Sequence, residues 1–280
     1  MHNFPISQNL VTSPFLKWVG GKRWLISKHC NIFPQKYSQY IEPFLGSGAV
    51  FFHLKPTTGI LSDLNKELID VYKAIKEGWR EIDAILQDYQ KNHNSEFYYN
   101  TRNNEVTSSP EKAARFIYLN RTCWNGLYRV NLNGKFNVPI GTKTKVILDN
   151  DNFAAIAAAL ENIELVHSDF EDTISYAKND DFVFIDPPYT VKHNNNGFIK
   201  YNENLFSWDD QVRLRDSTAN AIQRGAKVII TNAAHDSVEQ LYTDKIFTIS
   251  KFTRHSVLAG TIKDRKPCEE LIICGNCGNI

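Results

Sequence analysis

Short apolar runs alternate along the chain with stretches whose apolar residues recur every three to four positions, the pattern of an α/β protein. Residues 40–44 (YIEPF) form an apolar run that ends at the turn LGSG, and AVFFHL follows as a helix. Gly59–Asp63 (GILSD) predicts a second strand. Residues 65–76 then place Leu68, Ile69, Tyr72 and Ile75 on one helical face, a βαβ beginning. From residue 79 to 121 the pattern is mostly helical, with Ser108 and Glu111 spaced as a capping box before AARFIYLNR. Residues 122–144, rich in Asn, Gly and aromatics, suit loops or a short hairpin and make a second domain with the helices before them. The strand pattern returns in Ile163–His167 (IELVH), residues 182–186 (FVFID) and residues 227–231 (KVIIT), separated by helix-like segments as buried parallel strands require. Residues 192–198 (KHNNNGF) are polar and glycine-bearing, which predicts a mobile loop.

Composition sharpens this picture in three places. With 42% hydrophobic and 22% charged residues over 280 positions, the chain can bury an ordinary core. No apolar run approaches the roughly 18 residues of a membrane span, and the first residues lack a signal-peptide pattern, which argues against insertion and secretion. Five cysteines (Cys30, Cys123, Cys268, Cys274, Cys277) make no disulfide framework, so a reducing cytoplasm is expected. The net charge of +1 hides a segregation. Residues 112–148 hold Lys112, Arg115, Arg121, Arg129, Lys135, Lys143 and Lys145 and no acidic residue. Such a surplus is either a nucleic-acid footprint or a solvated basic face.

Two segments carry candidate chemistry. In residues 44–51 (FLGSGAVF) the glycines of a strand-to-helix turn let the backbone approach a ligand at a helix N-terminus. The third glycine of a dinucleotide fingerprint is replaced by Phe51. Asp63, about 20 residues on and at the end of the next strand, suits ribose hydroxyls, unless it caps the helix beginning near Asn65. In FVFIDPPYT a buried strand delivers Asp186, Pro187, Pro188 and Tyr189 to its carboxyl end, where ligands bind in open α/β sheets. The two prolines have no N–H, so their main chain offers only carbonyl acceptors. An amino group on an aromatic base is a poor nucleophile because its lone pair is delocalised into the ring. Accepting both its hydrogens, at Asp186 and the Pro187 carbonyl, draws it towards tetrahedral geometry, while Tyr189 offers a face for stacking the base.

Five motifs in order resemble the Dam-like family of DNA adenine-N6 methyltransferases: FLKWVGGK, EPFLGSG, LSDLN, LNRTCWNGLYRVNLNGKFNVPIG and DPPY. The resemblance implies a Rossmann-like, S-adenosylmethionine-dependent methyltransferase sheet with an inserted, smaller, mainly helical DNA-recognition domain carrying a hairpin. The catalytic domain would comprise residues 1–65 and 146–280, and the recognition insertion residues 66–145. It implies catalysis by Asp186, Pro187, Pro188 and Tyr189, and cofactor binding by Trp18, Lys22, Asp63 and Asp186, with Phe44, Gly46, Asp169 and Phe170 added. On double-stranded DNA it implies stacking by Trp124, where relatives commonly have Phe or Tyr, and base-edge or phosphate contacts from Asn125 and Arg129. Leu127 and Pro139 would shape the groove contact, and Lys17 matches a base-contacting lysine. No metal is implied, the recognition segment leans towards GATC, and a partnering restriction endonuclease is one biological setting.

Rival readings make their own demands on the chain. Cytosine-N4 methylation uses the same exocyclic amine chemistry, whereas amide or RNA methylation with related turns usually starts from Asn where this chain has Asp186. A catalytically silent DNA-binding module leaves the cofactor motifs idle, and a nicotinamide oxidoreductase leaves DPPY unexplained. Cys274 and Cys277 have the spacing of half a zinc knuckle, with no second pair or histidine cluster nearby, and read as structural, and residues 97–99 (FYY) read as helical core.

Overall fold

The computed structural model describes residues 12–131, 134–191, 206–255 and 267–278. The loop expected at residues 192–198 and the side chain of Cys268 lie outside the described residues. The chain divides into two units. One comprises the segment up to Gly21, Gly46–Thr57 and Asn65–Leu165; the other comprises Lys22–Leu45, Thr58–Leu64 and the chain from Val166 on.

The second unit is built on strands β1 (Tyr40–Glu42), β2 (Gly59–Asp63), β3 (Ile163–His167), β4 (Phe182–Ile185), β5 (Lys227–Ala233), β6 (Thr248–His255) and β7 (Pro267–Gly275). β3 carries the chain from the first unit into the second. The sheet order is β3-β2-β1-β4-β5-β7-β6. β1 is parallel to both β2 and β4, and β4 is parallel to β5. β7 is antiparallel to β5 and β6. The first five positions give the Rossmann order, so the strand sequence reverses between β1 and β4, the switch point where such sheets bind ligands beyond their carboxyl ends. Strand alternation puts Ile41, Val183, Ile185, Val228, Ile230, Leu271 and Ile273 in one apolar cluster with Leu214, Ala221 and Ile222. Among the described residues, the α-helices of this unit are α1 (Arg23–His29), α7 (Phe170–Ser175), α8 (Trp208–Gln223) and α9 (Asp236–Leu241). A capping box between Ser207 and Asp210 starts α8.

The first unit is mainly helical, with α2 (Ala49–Leu54), α3 (Lys66–Asn92), α4 (Ser95–Asn103), α5 (Ser109–Thr122) and α6 (Phe153–Ala159). α3 is far longer than residues 65–76 and continues through a non-helical Gly78. Its N-cap is Asn65, which accepts from the Leu68 N–H. At α5 the box expected between Ser108 and Glu111 is altered. Ser108 accepts from the Glu111 N–H, and its own hydroxyl donates to the Glu111 carboxylate. Phe15 packs against Tyr72, Phe153 and Phe52 at ring separations of 5.1, 6.1 and 6.4 Å. Tyr98 of the FYY run is fully buried and donates to the Val138 carbonyl. Residues 122–131 and 134–141 fold back on each other like a hairpin, with bridges Cys123 to Ile140 and Val130 to Phe136.

Candidate active site and nucleic-acid interface

The carboxyl ends of β1, β2 and β4 point the same way because the strands are parallel, and Phe44, Asp63 and Asp186 follow or end them. Asp186 is the first residue past β4, with its side chain 19% exposed. Its Oδ1 accepts from the Thr231 hydroxyl of β5 at 2.8 Å and lies 2.7 Å from Lys22 Nζ, an ammonium only 3% exposed. Burial pushes the Asp186 carboxyl above its ordinary range, against the opposing pull of Lys22 and Thr231. Lys22 Nζ also sits 5.0 Å from the Tyr189 ring centroid and 3.9 Å from Oε2 of Glu270, on β7. The Tyr189 hydroxyl donates to that same Oε2 at 2.8 Å. Burial and the carboxylates of Asp186 and Glu270 hold the Tyr189 phenol well above its ordinary pKa, so it stays neutral.

The chain leaving this turn is anchored as well. The Thr190 hydroxyl donates to the Phe206 carbonyl at 2.6 Å, and Gln211 Nε2 donates to the Thr190 carbonyl. Asn232 of β5 donates to the Gln211 side-chain oxygen in turn. These buried polar groups satisfy one another, which fixes the loop without leaving an unpaired donor among them.

Phe44 and Phe170 stack at 5.5 Å and 21°, and Phe206 closes the group at 5.6 and 5.7 Å. Asp169 caps α7 through the Glu171 N–H, and Arg213 of α8 binds the same carboxylate. Both contacts fall on Oδ1. Asp186, Pro187, Pro188, Tyr189, Lys22, Phe44, Asp63, Asp169 and Phe170 therefore all belong to the second unit.

Trp18, Gly46 and the expected DNA-contacting residues belong to the first unit. Gly46 has φ +47, and a Cβ there would lie 2.7 Å from the Trp18 ring, so only glycine fits under that indole. Trp18 stacks on Tyr128 at 5.8 Å and 22°. Tyr128 is held further by Phe116 at 4.6 Å and by a hydrogen bond from its hydroxyl to Glu67. In the hairpin, the Trp124 N–H donates to the Pro139 carbonyl while the indole stands 53% exposed. Asn125 is exposed with φ 55, Arg129 is exposed and donates to Asn137, and Leu127 is partly buried. Lys17 exchanges two backbone–side-chain hydrogen bonds with Asn120, and its ammonium donates to the Arg121 carbonyl. Burial lowers its pKa. A Cβ at Gly126 would lie 2.4 Å from Lys17, so the turn and the lysine stem are fitted together.

The basic segment resolves into several roles. Arg121 is fully buried, where it pairs with both oxygens of Asp151 and donates to the Phe15 and Val146 carbonyls. Arg115 binds the Thr101 and Arg102 carbonyls. Lys145 pairs with Asp149, and Lys135 lies 3.7 Å from Glu105. The count of cations thus overstates the charge presented to a polyanion, since Arg121 belongs to the core. Cys274 is buried in β7, and the Cys277 thiol donates to the Val228 and Gly275 carbonyls. Among the described residues, no cluster of three or more His, Cys, Asp or Glu is placed to hold a metal ion, and no helix is long and apolar enough to cross a membrane.

A Rossmann-like sheet with an Asp-Pro-Pro-Tyr loop beside its switch point belongs to the α/β class whose ligands bind beyond the carboxyl ends of the strands. Residues 18–257 match the D12 class N6 adenine-specific DNA methyltransferase family, and the chain belongs to that family. It is 36% identical over 275 residues to the Type II methyltransferase M1.LlaDCHI of Lactococcus lactis subsp. cremoris, spanning 95% of this chain and 96% of that one. It is 35% identical to the Type II methyltransferase M.MjaIII of Methanocaldococcus jannaschii, over 79% of this chain and 84% of the relative. To a DNA adenine methylase of Haemophilus influenzae it is 32% identical, over 87% and 86% of the two chains.

Proposed function

We propose that this chain binds S-adenosylmethionine and transfers its methyl group to N6 of a flipped adenine at a specific site in duplex DNA. The observation that carries the proposal is Asp186, a largely withdrawn carboxylate just past β4, held by Lys22 and Thr231 beside the neutral phenol of Tyr189. The residues at hand fit the donor. Asp63 ends β2 where an acid takes ribose hydroxyls, while α3 has its own cap in Asn65. Phe44 and Phe170 offer an aromatic wall for a purine, and Asp169 stands next to Phe170 at the start of α7. The family resemblance adds Trp18, Lys22 and Gly46 as members of its cofactor motifs.

S-adenosylmethionine supplies an electrophilic methyl group on a cationic sulfur. Asp186 and the Pro187 carbonyl accept the two hydrogens of the adenine amine and raise its nucleophilicity, while Pro188 stiffens the turn. Tyr189 stacks the base and keeps its own proton. As the N6–methyl bond forms, the donor's sulfur–methyl bond would break to leave a neutral thioether, and the methylated amine, now acidic, would lose its proton to solvent, so Asp186 acts only as a hydrogen-bond acceptor. Trp124 fills the space the base leaves, and Asn125, Arg129, Lys17, Leu127 and Pro139 read or position the duplex. We extend the proposal to GATC as the site, from the resemblance of the recognition segment. We extend it also to a role in modification beside a cognate restriction endonuclease, as the Type II names of two relatives suggest, in the cytoplasm that free thiols suit.

The test is Asp186→Ala with tritiated donor and unmethylated DNA. Removing the acceptor should lower turnover by about 10² to 10⁴ while the circular dichroism of the folded protein is kept. Turnover above a few per cent of the parent would overturn the assignment.

A further inference from the structure

Glu270 is the one acid of β7 that is fully withdrawn from solvent, 1% exposed, and no motif points to it. A carboxylate in that position is costly unless its oxygens are occupied. Its Oε2 takes the Tyr189 hydroxyl at 2.8 Å and stands 3.9 Å from Lys22 Nζ, the ammonium that binds Asp186. β7 is fastened on both sides, with Glu270 opposite Ala233 of β5 and Phe252 of β6. The catalytic loop is irregular after Ile185, so its tyrosine has no strand register of its own to orient it.

We propose that Glu270 is the positioning residue for Tyr189: from the rigid antiparallel end of the sheet it holds the phenol and thereby fixes the ring plane on which the target base stacks. The inference rests on the methyl-transfer reading above and adds a residue to it. Tyr189 touches the base, whereas Glu270 acts through the Tyr189 hydroxyl. A phenol ring free to turn about its χ angles would present the base in many orientations, and misplacement of a reacting group by about 1 Å costs on the order of a hundredfold.

The experiment is a double-substitution cycle on the full chain, following tritiated methyl transfer to unmethylated DNA with donor and DNA each varied. Glu270→Met keeps the side-chain length and removes the acceptor, Glu270→Gln keeps an acceptor oxygen, and Tyr189→Phe removes the hydroxyl while keeping the ring. Glu270→Met should lower kcat by about tenfold or more, with the KM for the donor moving less than about threefold. Glu270→Gln should recover most of the loss. In the Tyr189→Phe background the Glu270→Met substitution should cost no more than about twofold, because the handle it acts through is gone. Losses that multiply in the double variant, or Glu270→Gln as impaired as Glu270→Met, would overturn the proposal. Should Glu270→Met fail to fold by circular dichroism, Glu270→Gln alone and with Tyr189→Phe decides. Glu270→Gln near the parent, Tyr189→Phe lowered by about tenfold, and Glu270→Gln adding no more than about twofold to Tyr189→Phe support positioning; near-parent kcat in Tyr189→Phe refutes it. An unsubstituted chain that transfers no methyl group to adenine would instead refute the underlying reading, before any variant is compared.

Discussion

The Asp-Pro-Pro-Tyr loop proposed for catalysis and the hairpin proposed for recognition present their polar groups in opposite ways. Around Asp186, side chains from the turn before α1, from β5 and from β7 converge with most of their surface withdrawn from water. Around Trp124 the side chains stand exposed on a backbone held by two isolated bridges and a few main-chain hydrogen bonds. A reaction that activates one poor nucleophile gains from groups already fixed in low dielectric, where hydrogen bonds and charges act strongly. Reading DNA gains from exposed groups that meet phosphates and base edges in solvent, where individual contacts are modest. Burial therefore marks the chemistry in one region and the scaffold in the other, as Arg121 illustrates.

The largest expected effect tests that last point. Arg121→Met should destabilise the protein by about 3 to 5 kcal/mol, because it leaves Asp151 buried without its cation. Thermal unfolding reads it. A variant that unfolds like the parent but loses DNA affinity would return Arg121 to the interface. Next, Asp63→Ala should weaken donor binding by about 1.5 to 3 kcal/mol, the worth of hydrogen bonds to a charged group. Isothermal titration with S-adenosylmethionine measures this, and unchanged affinity would remove Asp63 from the site. Arg129→Ala should cost about 1 to 3 kcal/mol on the cognate duplex and much less on unrelated DNA. Equal losses on both would make Arg129 a backbone contact.

The acid side of the pH profile separates the two regions further. In the proposed mechanism it is ionised Asp186 that accepts the amine's hydrogen, and burial raises its pKa above the ordinary 3.8. Turnover should therefore fall as pH drops, by about tenfold per unit below a limb lying above that value. A limb at or below 3.8 contradicts the burial argument. The smallest effect belongs to an exposed cation. Lys143→Ala should weaken all duplexes alike and flatten the salt slope by roughly one. Lys145 should show less, since Asp149 already pairs with it.

Much of the sheet was legible because buried parallel strands are dense apolar runs: β2 and β3 have the ends their patterns predict, and β4 and β5 differ by one and two residues. The antiparallel pair β6–β7 is less legible because TISKFTRH is half polar and lacks the dense apolar run of a buried parallel strand. Glu270 is illegible for a related reason. In EELIICG it reads as a surface acid, and only the pairing of β7 with β5 brings it to Tyr189. Tyr128 lay within the recognition run, but nothing in the spacing announced that it would stack on Trp18. Charge counting failed at Arg121 because a sum over sequence carries no information about depth.

The central claim is that the carboxylate of Asp186 serves an adenine amine. Its most direct test is chromatography of nucleosides from DNA treated with the purified chain and S-adenosylmethionine, run beside Asp186→Ala. The account predicts N6-methyladenine from the parent chain and almost none from the variant. N4-methylcytosine in its place, or N6-methyladenine undiminished in Asp186→Ala, would contradict it.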